Sequence, residues 1–107
     1  MASGVLGRVS LASTTLTTVY TVPAGNVAYL NINLANRTAA SAAVRVALAQ
    51  TAASPLDAEY IEYETDISGN GVLERTGLIL GAGWSVVAYS DSAAVSVMTY
   101  GIEQSNA

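Results

Sequence analysis

The sequence predicts an all-β fold: an antiparallel β-sandwich of about eight strands, jelly-roll-like in its connections. Three observations carry this. Apolar residues recur at every second position, which is the period of a half-buried strand and not of a helix. Val, Thr and Tyr, which favour strands, fill the runs. Clusters of Gly, Pro, Asn and Ser interrupt the runs at the regular spacing of a sandwich or barrel.

Near the N-terminus, Val5 to Leu11 and Leu16 to Val22 give two strands, separated by Ala12–Thr15. The segment 1–15 carries two readings of equal weight. It is an edge strand of its own sandwich, or an N-terminal arm that adds to a neighbour's sheet. Pro23-Ala24-Gly25 turns the chain into Asn26 to Leu34. There Ala28, Leu30, Ile32 and Leu34 share one face, and Val27, Tyr29, Asn31 and Asn33 share the other. Tyr29 is therefore exposed or covered by a neighbouring subunit. Asn36-Arg37-Thr38 opens a loop through Ser41. In Ala42 to Ala49, Val44, Val46 and Leu48 alternate with Ala43, Arg45 and Ala47. That alternation outweighs the helical propensity of the Ala-rich stretch 39–53.

Ser54-Pro55 breaks the chain before Glu59 to Asp66, where acids alternate with Ile61, Tyr63 and Thr65. On a regular strand Glu62 and Glu64 share a face with Tyr60. Gly69-Asn70-Gly71 precedes Val72 to Leu80. Gly81-Ala82-Gly83 precedes Trp84 to Tyr89, and Ser90-Asp91-Ser92 precedes Val95 to Tyr100. Gln104 to Ala107 reads as a frayed end. Residues 1–107 form one domain of ordinary size.

Composition narrows the chemistry. The chain has no Cys, no His and no Lys. Without Cys there is neither a disulfide framework nor a thiolate site. Without His, the commonest general base and metal ligand is missing, and Ser or Thr nucleophiles have no imidazole or Lys to activate them. Hydrophobic residues make up 51% and charged residues only 11%, against about 25% charged in ordinary soluble domains. Four Arg against eight acids give a net charge of −4, so no basic face for nucleic acid or anionic lipid forms. Nothing approaches the apolar run of about 20 residues that spans a membrane. Met1 to Leu16 has no basic start and no unbroken apolar core, which points to synthesis in a cytoplasm. Low charge beside high apolar content points to surface buried against other subunits.

The motifs lead to structure rather than to chemistry. The acids Glu59, Glu62, Glu64 and Asp66 lie on a strand-like run, whereas a calcium loop needs a turn with Gly, so they read as a strand face or as partners for Arg. Gly81-x-Gly83 lacks the third Gly of a dinucleotide fingerprint. Asn36-Arg37-Thr38 matches the glycosylation sequon by chance. Trp84 and the six Tyr read first as core or boundary side chains, and second as a carbohydrate platform. Arg45 and Arg75 lie inside strands, and the fork of Arg suits bidentate pairing with Glu62, Glu64 or Glu74. These pairs are expected between subunits. The candidate interface residues are thus Tyr29, Arg37, Arg45, Glu62, Glu64 and Arg75. No catalytic, cofactor or metal residue is assigned.

The run Val19-Tyr20-Thr21-Val22-Pro23-Ala24-Gly25, followed by Leu30 to Arg37, resembles a module of small tailed-bacteriophage virion proteins. The stretches Ala58 to Tyr63, Gly71 to Gly77 and Ala93 to Gly101 continue the likeness, which spans about Leu16 to Glu103. Such modules occur in head decoration (cement), tail-fibre and baseplate components. The resemblance implies a structural role, and it carries over no catalytic residue.

The resulting expectation is a non-enzymatic virion protein assembled in the host bacterial cytoplasm. A capsid decoration protein that binds the major capsid protein is favoured, as a homo-oligomer with a trimer preferred. A tail, neck, baseplate or fibre component is the alternative. A carbohydrate-binding module comes third, with no nucleic-acid or membrane partner expected.

Overall fold

The computed structural model describes residues 3–51 and 54–105. Eight strands follow in order: β1 (Ser3–Ser10), β2 (Thr17–Thr21), β3 (Asn26–Asn36), β4 (Ala42–Ala49), β5 (Tyr60–Ile67), β6 (Val72–Leu80), β7 (Ser85–Ser90) and β8 (Val95–Ser105). A single 3₁₀ turn, Asp57–Glu59, precedes β5. The strands form two four-stranded sheets. The first has the order β1-β8-β3-β6 and the second β2-β7-β4-β5. The chain is an antiparallel β-sandwich.

The pairing is nested. β1 lies on β8, β2 on β7, β3 on β6, and β4 on β5, all antiparallel. β3 with β8 and β4 with β7 complete the sheets. Ser3–Ser10 is an edge strand of its own chain's first sheet.

Alternation explains the core. Leu30, Ile32 and Leu34 from β3 meet Val44 and Val46 from β4, with Val86 from β7 and Val95 and Val97 from β8. All are buried, and each contributes about 1.5–3 kcal/mol relative to an exposed side chain. Ala42–Ala49 and Val72–Leu80 start and end where the periodicity places them.

Three departures matter for the surfaces. First, β5 is bulged. The register passes from Val44↔Thr65 to Val46↔Glu62, so Tyr63 and Glu64 together oppose Arg45. Glu64 takes φ 52°, a left-handed conformation that the extra residue imposes. Glu62 therefore faces inward beside Val46 and Glu64 faces outward, and the expectation that they share a face fails at this bulge.

Second, β8 does not stop at Gly101 but runs to Ser105. A Cβ on Gly101 would collide with the carbonyl oxygen of Tyr29. The glycine permits a close backbone approach inside the sheet and does not end the strand. Gln104 and Ser105, expected to fray, pair with β3, and the last two residues lie outside the described ones.

Third, the loop after β3 is pinned by Asn36. Its buried Nδ2 donates to the carbonyls of Ala40, Ile67 and Ser68 at 2.8, 3.1 and 3.2 Å. Its Oδ1 accepts from the Thr38 amide at 3.1 Å. An amide this fully engaged is closed to glycosylation, in keeping with a chance sequon.

Candidate interaction face

A sandwich presents two outer faces, and here they differ. On the second sheet, Arg45 of β4 points outward between two rings. Its guanidinium carbon lies 4.5 Å from the centroid of Tyr63 and 4.4 Å from that of Tyr89. Arg45 Nε donates to Glu64 Oε2 at 2.5 Å. Tyr60 packs edge-on against Tyr63, with centroids 5.1 Å apart. The hydrogen bond to Glu64 holds the Arg45 guanidinium above its ordinary pKa. Further along the same face, Ala47, Ala49 and Val87 are buried beneath Leu16 and Tyr60. Apart from Tyr63, which is 59% exposed, the apolar side chains of this face are covered by residues of the same chain.

The acids of the 59–66 run do not converge. Glu59 accepts from the amides of Gln50 and Leu56 at 3.1 and 2.8 Å and so ties the loop between them. Glu62 accepts from Thr65 Oγ1 at 2.7 Å and pairs with Arg75 Nε at 3.2 Å. Arg75, opposite Ile32, points toward the other sheet. The pair therefore ties the edge strands β6 and β5 across the side of the sandwich. Arg45 and Arg75 each pair through Nε with one of the three glutamates the sequence offered, Glu64 and Glu62, within the chain.

The outer face of the first sheet is open. Strand register aligns its residues in transverse rows. One row is Ser3, Ile102, Tyr29 and Ile79, and another is Arg8, Met98, Asn33 and Glu74. Six of the eight large hydrophobic side chains exposed among the described residues lie here: Val5, Tyr29, Val72, Ile79, Met98 and Ile102. Ile79 is 63%, Val72 58% and Val5 55% exposed. An open groove of about 670 Å³ crosses this face, lined in part by Arg8, Ser10, Asn33, Ala35, Met98 and Tyr100. Tyr100 OH donates to Glu74 Oε2 at 3.3 Å. Arg8 has no ion-pair partner among the described residues. Clusters of exposed apolar side chains are characteristic of surfaces used for association.

Of the residues singled out in the sequence, only Tyr29 lies in the middle of this face. Arg37 stands at its end, where Nη2 donates to Ser10 Oγ at 2.8 Å. Arg45 and Glu64 belong to the covered face, and Glu62 and Arg75 to the edge. Trp84 is half-buried against the core. Val5, Val72, Ile79, Met98 and Ile102 were missed. A signal for some of them exists in Leu78-Ile79-Leu80 and Val97-Met98, because consecutive apolar residues in a strand make both of its faces apolar.

No protein-family model, curated protein or solved structure matches this chain.

Proposed function

We propose that this chain is a non-enzymatic structural protein of a bacteriophage virion, a capsid decoration (cement) protein that stabilises the head as an oligomer. The carrying observation is the pairing of a covered outer face with an open apolar one, on a sandwich built from a chain without Cys, His or Lys. Such a molecule is suited to assembly rather than to turnover. The nested strand pairing supports the jelly-roll reading of the sandwich. The sequence likeness to small tailed-phage modules supports the virion role. The chief partner in this reading is the major capsid protein, with assembly in the bacterial cytoplasm. Three of the four Arg are already held, Arg45 and Arg75 by Glu and Arg37 by Ser10, which favours a protein partner over nucleic acid.

The test is co-sedimentation with expanded heads that lack the protein. The reading expects saturable binding and heads that resist heat and dilution better. Failure to bind heads contradicts the decoration role. Recovery in purified tails alone would move the protein to the tail, neck, baseplate or fibre.

A further inference from the structure

We propose that the open face of the first sheet is a two-fold interface with a second copy of this chain, locked by reciprocal Arg8–Glu74 ion pairs. The argument rests on charge placement and stands apart from the virion reading. Arg8 lies on β1 at one edge of the sheet and Glu74 on β6 at the other. Both belong to one transverse row, through Met98 and Asn33. Three strand spacings of about 4.8 Å separate β1 from β6, roughly 14 Å in all. The two groups therefore do not meet within one chain.

A second copy brings them together. Two identical faces pack with a two-fold axis in the plane between them. If that axis runs along the strands, between β8 and β3, each β1 lies over the β6 of the other copy. Arg8 then faces Glu74 of the partner subunit, and the reverse contact follows by symmetry. If the axis runs across the strands at this row, Arg8 faces the same residue of the other copy, which is repulsive. Of these two arrangements the charges favour the first.

Other features fit that choice. It sets β8 over β3, so Ile102 meets the partner's Tyr29, and Tyr100 meets the partner's Asn31. It also sets the exposed Val72 of the partner subunit over the groove beside Ser10. The crossing of about −30° usual for packed sheets shifts the edge positions by a few ångströms, within reach of an Arg side chain. Four strands by nine residues present on the order of 500 Å² per subunit, so about 1,000 Å² in total. That stands at the roughly 1,000 Å² a biological interface should clear, in the range of weaker associations. A two-fold pair replaces the trimer that the sequence reading favours.

The experiment is light scattering of the full chain over a concentration series, with charge reversals. The parent is expected to approach twice the 10.9 kDa chain mass. R8E and E74R each place like charges opposite one another twice and weaken pairing by at least about tenfold. Mixed in equal amounts, the two variants are expected to pair with each other, because every contact then joins opposite signs. Arg8→Gln and Glu74→Gln, gentler to the fold, shift the same way by less, and circular dichroism checks that each variant retains its sheets. A parent that stays monomeric or reaches three chain masses overturns the proposal. So do single reversals that pair like the parent, or a mixture that stays monomeric. A dimer that ignores phage heads leaves this interface standing and sinks the decoration role. A monomer that binds heads does the reverse.

Discussion

On the outer face of the second sheet, Arg45 is held between Tyr63, Tyr89 and Glu64, and Val87 is fully covered. On the outer face of the first sheet, Ile79 and Val72 are each more than half exposed. Both faces come from strands with the same alternation, and both carry one Arg inside a strand. What differs is local cover. Leu16 and Tyr60 cover part of the second sheet, and among the described residues no such cover lies over the first. Apolar residues on a strand's outer side thus have two fates, intramolecular sealing or a surface left for association. Alternation alone does not choose between them.

Paired substitutions break or sharpen this contrast. The largest effect is expected from Val87→Asp, which places a charge beneath Leu16 and Tyr60. A cost of about 3 kcal/mol or more in urea unfolding is expected. The matching Ile79→Asp on the open face should leave the stability of the single chain, read at a dilution where it is monomeric, within about 0.5 kcal/mol. Equal losses at the two sites would erase the distinction.

Gly101→Ala comes next. Its Cβ would collide with the Tyr29 carbonyl, so β3 and β8 must part beneath the open face. About 2–3 kcal/mol is expected in the same unfolding assay. A neutral result would show that the approach of the two strands is not needed.

A smaller effect is expected from Arg45→Ala, which removes the ion pair and both ring contacts. The urea midpoint should fall by less than with Gly101→Ala, and Arg45→Lys should not restore it, because a point charge replaces a planar fork that stacks on rings. Oligomer mass should not change, since this face is covered within the chain.

The smallest effect is one of pH. Burial first, and then the bond to Glu103, holds Tyr20 well above the ordinary tyrosine value of 10.0. The folded state prefers the neutral phenol. The stability it supplies is whole below pH 10 and declines as pH rises toward the raised value. An ultraviolet titration should show one of the six tyrosines ionising last, together with unfolding. Tyr20→Phe should remove that late step, and its persistence would assign the step to another ring.

The sequence made the sandwich legible because Val44, Val46 and Leu48, or Leu30, Ile32 and Leu34, alternate without interruption. It misplaced Glu62, which two register shifts in β5 turn inward while Tyr60 and Glu64 keep the outer face, and such bulges leave no mark in composition. It ended the last strand at Tyr100, before Gly101, because a glycine that ends a strand and one that admits a neighbouring backbone look alike in a single chain. Tyr29 was found because it lies opposite a clear core stripe. Its neighbours Ile79, Met98 and Ile102 were not found, because their meeting depends on the order β1-β8-β3-β6, a long-range fact.

Nuclear magnetic resonance of the side-chain methyl groups on dilution tests the central contrast most directly. If the open face is the association surface, the methyls of Val72, Ile79, Met98 and Ile102 shift with concentration, while those of Ala47, Ala49 and Val87 stay fixed. Shifts confined to the second sheet, or no shift at any concentration, would contradict the account.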